Sequence, residues 1–188
     1  YILIFINLVF FMGTVKWGIL GAAKIAKEQV IHAMKKSKNT ELYAIASREI
    51  SKAEDFCHKF SILKAYDDYN KLISDPNIDA VYIPLPNHLH VPFSINALKA
   101  GKHVLCEKPI SITSDEIFEL MQVQKETKKI VSEAFMVRFH PQWSETKKLI
   151  QEGEIGKLNA IQGLFNYFNT DPNNIRNDVR IGGGGILD

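Results

Sequence analysis

Six short apolar runs, separated by longer segments that are mostly amphipathic, constrain the fold of this chain more than any other feature. They are Val15 to Leu20, Leu42 to Ala46, Lys64 to Tyr66 (the weakest), Ala80 to Pro84, His103 to Cys106 and Ile130 to Phe135. Runs of this length between helical patterns are the sequence form of repeated β-α units and a parallel sheet. After the first run, Ile25, Ala26, Val30, Ala33 and Met34 keep helical spacing, and Lys35, Lys36 and Lys38 crowd the end where the helix dipole favours cations. Ile50, Ala53, Phe56, Cys57 and Phe60 mark a second helix; Val91, Ile95 and Leu98 mark another, closed by Gly101. Thr113 with Glu116 reads as a capping box opening a helix through Ile117, Leu120 and Met121.

The rest of the composition narrows the function classes. With 46% hydrophobic and 23% charged residues, the chain is neither disordered nor of low complexity. Lys and Arg total 23 against 21 Asp and Glu, a net +2 that is too balanced for charge-driven binding of nucleic acid or a membrane surface. Cys57 and Cys106 stand in no C-x-x-C spacing, so no disulfide framework or zinc site is signalled, and a reducing cytoplasm is the expected compartment. Tyr1 to Phe11 is nearly all apolar, yet shorter than the roughly 20 residues of a membrane span. It also lacks the basic flank and cleavage site of a secretory signal. Residues 1–11 are therefore expected to be a leader outside the native protein, with Met12 as the start, and a trimmed targeting segment is the alternative. Residues 12–136 are expected to hold the β-α units. Beyond Phe135 the pattern changes to a helix near Glu145 to Gln151, an aromatic run from Leu158 to Phe168, and a loop from Asp171 to Gly185. Residues 137–188 are thus read as the incomplete start of a second domain, and the aromatic run as a strand that would be an aggregation-prone edge if unpaired.

Residues suited to chemistry cluster at the ends of the runs, where open parallel sheets bind ligands. Gly21-Ala22-Ala23-Lys24-Ile25-Ala26 is a G-x-A-x-x-A form of the dinucleotide fingerprint, which brings a backbone turn against a pyrophosphate at a helix N-terminus. An ordinary tight β-α turn is its bland alternative. Ser47-Arg48 follow the second run, where NAD enzymes place an acid; a hydroxyl and a guanidinium there suit the 2′-phosphate of NADP, while Glu49 leaves NAD open. The fourth run delivers Asn87, His88 and His90; without a Cys or carboxylate cluster beside them, no metal is expected. The fifth ends in Glu107 and Lys108, a lysine whose pKa a cleft and an adjacent carboxylate can tune for proton transfer, although such pairs are commonly solvated. Lys108-Pro109 is a bond where a cis peptide is affordable. Both cysteines read as packing.

In order, GAAKIA, SRE, PLPNHLH, GKHVLCEKP and EAFMVRFHPQW resemble the Gfo/Idh/MocA oxidoreductase family, and within it the NADP-dependent D-xylose and trans-1,2-dihydrobenzene-1,2-diol dehydrogenase group, from about Lys16 to Asp188. The resemblance implies a Rossmann-like doubly wound α/β sheet, followed by an α/β C-terminal domain with an open sheet that contributes substrate contacts and the face of a homo-oligomer. By the same resemblance Gly21, Ala23 and Ile25 would line the pyrophosphate, Ser47 and Arg48 the 2′-phosphate, and Asn87 and His90 the nicotinamide side. Glu107 joins this cofactor-binding set. Lys108 would be the catalytic lysine of the E-K-P motif, near the nicotinamide ribose and the reacting oxygen, with Arg138 near the nicotinamide end or the substrate. GGGGILD resembles the stretch leading into D-x-G-x-[HY], whose first residue would be Asp188 and whose His or Tyr would lie beyond it. The implied activity is hydride transfer between a CH-OH group of a small sugar or diol and NADP, with NAD less suited. This chain, ending before that His or Tyr, is expected to be truncated and inactive alone. A module that binds NADP without turnover is the rival reading, and a nucleotide-sensing α/β domain a third.

Overall fold

The computed structural model describes residues 13–164, 166, 168, 170–171 and 174–183. The apolar leader 1–11, Met12, Phe165, Tyr167 and the stretch 184–188 with Asp188 lie outside the described residues. Each of the six runs contributes a strand: β1 (Val15–Leu20), β2 (Thr40–Ala46), β3 (Lys64–Tyr66), β4 (Ala80–Ile83), β5 (His103–Cys106) and β6 (Val131–Glu133). They form one sheet in the order β3-β2-β1-β4-β5-β6, every neighbouring pair parallel. Parallel neighbours need crossovers, supplied chiefly by helices. These are α1 (Ile31–Lys36), entered through a π-helical turn at Ala26–Val30, α2 (Ile50–Phe60), α3 (Tyr69–Ile73), α4 (His90–Lys99) and α5 (Ser114–Thr127); α6 (Pro141–Gln151) follows the sheet. Helix α3 has no counterpart in the apolar pattern because one turn is too short to show a period. Asp68 starts it, its Oδ1 accepting from the amides of Asn70 at 2.7 Å and Lys71 at 3.0 Å.

Two apolar clusters sandwich the sheet, as a doubly wound arrangement requires. Alternation along the strands sorts the side chains: Leu20, Ala46 and Ile83 enter one cluster with Leu72, Leu98 and Leu120, while Ile19, Ile45 and Tyr82 enter the other with Ile31, Phe56 and Phe60. Full burial of each large aliphatic side chain contributes about 1.5–3 kcal/mol. Helix α5 docks through Leu120 and Val123 and begins with the expected capping box. Thr113 Oγ1 accepts from the Glu116 amide at 3.3 Å, and Glu116 Oε2 accepts from the amides of Thr113 at 3.3 Å and Ile112 at 2.8 Å. Thr113→Ala should therefore lower stability by about 1 kcal/mol in thermal unfolding. An unchanged melting temperature would mean that Glu116 holds this end without the threonine.

The stretch from Leu158 differs from its expectation as a strand. Its described residues join no ladder, and Ile161, Leu164 and Phe168 are 82%, 87% and 91% exposed. Extended apolar sequence becomes a strand only where a neighbour takes its amides and carbonyls, and no described strand pairs with this stretch. No described helix is long and apolar enough to cross a membrane.

Candidate functional site

Sheet order reverses between β1 and β4, and the loops leaving these strands part to form a cleft at their C-terminal ends. Gly21 makes the turn out of β1 at φ +115°, a region that L side chains rarely adopt, and its amide donates to the Ala46 carbonyl at 2.9 Å. A Cβ on Gly21 would also approach Leu85 Cδ2 to 3.1 Å. Ala22 and Ala23 follow, and the Lys27 amide closes the first helical turn on the Ala23 carbonyl at 3.1 Å. The second fingerprint position is thus the smallest side chain that still has a Cβ.

On the other side of the cleft, the turn after β5 is anchored from three elements. From β4, the Tyr82 hydroxyl donates to Glu107 Oε1 at 2.5 Å, and the Glu107 amide donates to the Ile83 carbonyl at 3.0 Å. From α4, His90, 1% exposed, spans the two loops: Nε2 lies 2.7 Å from the Leu85 carbonyl and Nδ1 2.6 Å from the Pro109 carbonyl. From β6, Glu133 Oε1 accepts from the Ile110 amide at 2.9 Å. Lys108 sits half-buried between these anchors, its amide donating to Glu107 Oε2 at 3.3 Å, and the Lys108-Pro109 peptide is cis.

The resulting cleft has a volume of about 680 Å³, and Ala23, Ile25, Asn87, His90, Glu107 and Lys108 all line it. The remaining expected residues lie elsewhere. Gly21 shapes the β1 turn, as described. Ser47 is buried at the end of β2, its Oγ accepting from the Glu49 amide at 3.3 Å, while Arg48 is exposed beside it. Arg138 is exposed on the 3-10 turn Met136–Phe139, and it is Met136 that reaches the cleft. A second cleft of about 470 Å³ adjoins through Lys24 and Glu28, and is basic through Lys24, Lys27, Lys52 and Lys59.

Two cleft contributions were not anticipated from the sequence. Tyr82 reaches Glu107 because β4 and β5 pair Tyr82 with Leu105 and Ile83 with Cys106, a register that no local pattern announces. Arg176 lines the cleft from the loop after Asp171. That loop is docked by a hydrogen bond from Asn87 Nδ2 to the Gly182 carbonyl at 2.8 Å. Gly182 has φ +83°, and a Cβ there would fall 2.5 Å from Ile112 Cδ1, so only glycine seats it this closely.

Cys106 is fully buried, and burial pushes its thiol up to about 12, so it is no thiolate nucleophile at neutral pH. Among the described residues no group of three His, Cys, Asp or Glu is placed to hold a metal ion. His88 is exposed while His90 commits both ring nitrogens to carbonyls, so the pair offers no common ligand face.

A wholly parallel six-stranded sheet in this order, with a cleft at its switch point and a glycine turn after β1, defines a dinucleotide-binding domain of the doubly wound class. Residues 15–135 match the GFO_IDH_MocA model, described as the oxidoreductase family with NAD-binding Rossmann fold, and the chain belongs to that family. It is 46% identical over 177 residues to an uncharacterized oxidoreductase, ORF334, of Rhizobium meliloti, covering 94% of this chain and 53% of that protein. It is 37% identical over 173 residues to D-xylose 1-dehydrogenase (NADP(+)) 2 of Haloferax volcanii, covering 92% of this chain and 53% of that protein. Among solved structures it resembles a 3-ketoreductase from Actinomadura kijaniata in complex with NADP and TDP-benzene, with a TM-score of 0.72 and 35% identity over 75% of this chain and 43% of that one. The chain thus spans about half the length of the curated relatives it matches.

Proposed function

We propose that the complete protein is an NADP-dependent oxidoreductase moving a hydride between nicotinamide and a CH-OH carbon of a small sugar or diol. The observation that carries this reading is the meeting of Ala23, in the turn that Gly21 opens, with Asn87, Glu107 and Lys108 on one cleft at the switch point. A dinucleotide fits these residues. The backbone at Gly21 is free of a side chain, Ser47 and Arg48 end the strand next to β1 for the adenosine half, and Glu107 and Lys108 stand beyond β4 for the nicotinamide half. When bound, the cofactor supplies the hydride chemistry. Lys108 holds or releases the proton of the substrate hydroxyl oxygen, and the anchored turn fixes the direction of its ammonium. Glu107 accepts from hydroxyl donors, and Asn87 couples the cleft to the loop bearing Arg176. Residues 137–188 belong in this reading to a second domain that completes the substrate site and provides the contact between subunits.

NADP is preferred over NAD because Arg48 offers a guanidinium fork and Ser47 a hydroxyl at the position of the adenosine ribose. The NADP named for the xylose dehydrogenase and the ketoreductase supports the same choice. Arg48→Ala should weaken NADPH binding by roughly 10- to 100-fold and leave NADH binding within about twofold, as read by nucleotide fluorescence titration. Equal affinity of the variant and the parent chain for NADPH would sink the assignment of the 2′-phosphate to this strand end.

A further inference from the structure

We infer that Tyr82 is a positioning residue of the nicotinamide half of the cleft, its buried hydroxyl setting the Glu107 carboxylate that receives the cofactor's ribose hydroxyls. This rests on the dinucleotide reading proposed above and adds to it a residue that does not itself line the cleft.

All four residues of β4 are buried, and Tyr82 packs among Ile19, Ile31 and Ile45, fully removed from solvent. A phenol in such a place is costly unless its hydroxyl finds a partner. The partner is Glu107 Oε1 at 2.5 Å, a hydrogen bond to a group that lines the cleft one strand away. Burial, reinforced by the hydrogen bond to Glu107, pushes the Tyr82 phenol well above its ordinary range, so it stays a donor. An ionised carboxylate only accepts. Oε1 accepts from Tyr82 and Oε2 from the Lys108 amide at a long 3.3 Å, so the carboxylate keeps one further acceptor site on each oxygen for a pair of donors. Adjacent sugar hydroxyls are such donors. Phenylalanine at this position would keep the packing and leave Oε1 without its donor, freeing the carboxylate to turn away.

The test uses the full chain with Tyr82→Phe, Glu107→Gln and both changes together, and two ligands: NADPH, which reaches both halves of the cleft, and 2′,5′-ADP, which carries only the adenosine half. Tyr82→Phe should weaken NADPH about tenfold while 2′,5′-ADP stays within about twofold. The double variant should bind NADPH no more weakly than Glu107→Gln alone, because Tyr82 acts through Glu107. Unchanged NADPH affinity in Tyr82→Phe, an equal loss for both ligands, or additive losses in the double variant would each overturn the role of Tyr82. A parent chain that binds neither ligand would instead remove the dinucleotide reading, and this role with it.

Discussion

With Lys108 replaced by Met in the complete protein, hydride turnover should fall by about 10²- to 10⁴-fold, the range that a positioned proton-transfer group contributes. Methionine follows nearly the same path as the lysine stem, so the anchored turn should keep its shape and the melting temperature should stay close to that of the parent. The anchors themselves belong to other residues: Tyr82 and Ile83 hold Glu107, His90 holds Pro109, and Glu133 holds Ile110. NADPH affinity should therefore change little compared with turnover. Lys108→Arg should also be slow, because a guanidinium keeps the charge but does not give up its proton in the working range. Stopped-flow or steady-state assays with a small sugar or diol would read this, and turnover within about threefold of the parent in the Met variant would remove Lys108 from the chemistry.

Asp75→Ala should be the most destabilising single change outside the hydrophobic clusters, by about 2–4 kcal/mol, with a fall in Tm on the order of 10 °C. Asp75 is buried before β4, at the edge of the sheet opposite the cleft. Its Oδ2 accepts from the Tyr66 hydroxyl at 2.6 Å and Lys64 Nζ at 3.1 Å, and its Oδ1 from the amide and side chain of Asn77 at 2.9 Å each. Lys102 ties the same loop to β5, Nζ donating to the carbonyls of Asp75 and Ile78 at 2.7 Å each. Burial by itself would raise the Asp75 carboxyl, but the hydrogen bonds from Tyr66, Asn77 and Lys64 outweigh it and hold the group well below the usual carboxylate range. A folded value below the unfolded one, about 3.9, means that this contribution is complete above roughly pH 4 and is lost as the pH falls further, toward the folded value. The alanine variant should lack that part of the acid sensitivity while binding NADPH normally at 25 °C, since the network lies away from the cleft. A parent-like melting curve for the variant would show that Lys64, Tyr66 and Asn77 find other partners at no cost.

Local physics made much of this visible in advance. β1 and β5 begin and end where their apolar runs do, because strands covered on both faces are mostly apolar. The Thr113 capping box and the Gly101 stop were legible because each is a contact between near neighbours. Helix α3 was hidden, since its start depends on the Asp68 side chain rather than on any period. At the cleft, Ala23, Ile25, Asn87, His90, Glu107 and Lys108 could be gathered by one rule, that strand ends of a parallel sheet share an edge. That rule says nothing of where a side chain turns. It placed His90 at the cleft without showing that both of its nitrogens are taken by Leu85 and Pro109, and the resemblance that implied Arg138 did not show that Met136, two residues earlier, is the one that lines the cleft.

What the sequence by itself determined, then, is the class of fold, the order of its elements and the set of polar residues delivered to one edge of the sheet. Each depends on periodicity or on spacing along the chain. Only the tertiary structure decided which of those residues share a cleft, that Tyr82 holds Glu107 across the β4-β5 register, that Gly182 docks 95 residues away on Asn87, and that Asp75 gathers Lys64, Tyr66 and Asn77. The physical reason is common to all of them. A buried hydrogen bond takes its partner from whatever packing brings within about 3 Å, and packing joins positions whose separation in sequence carries no signal.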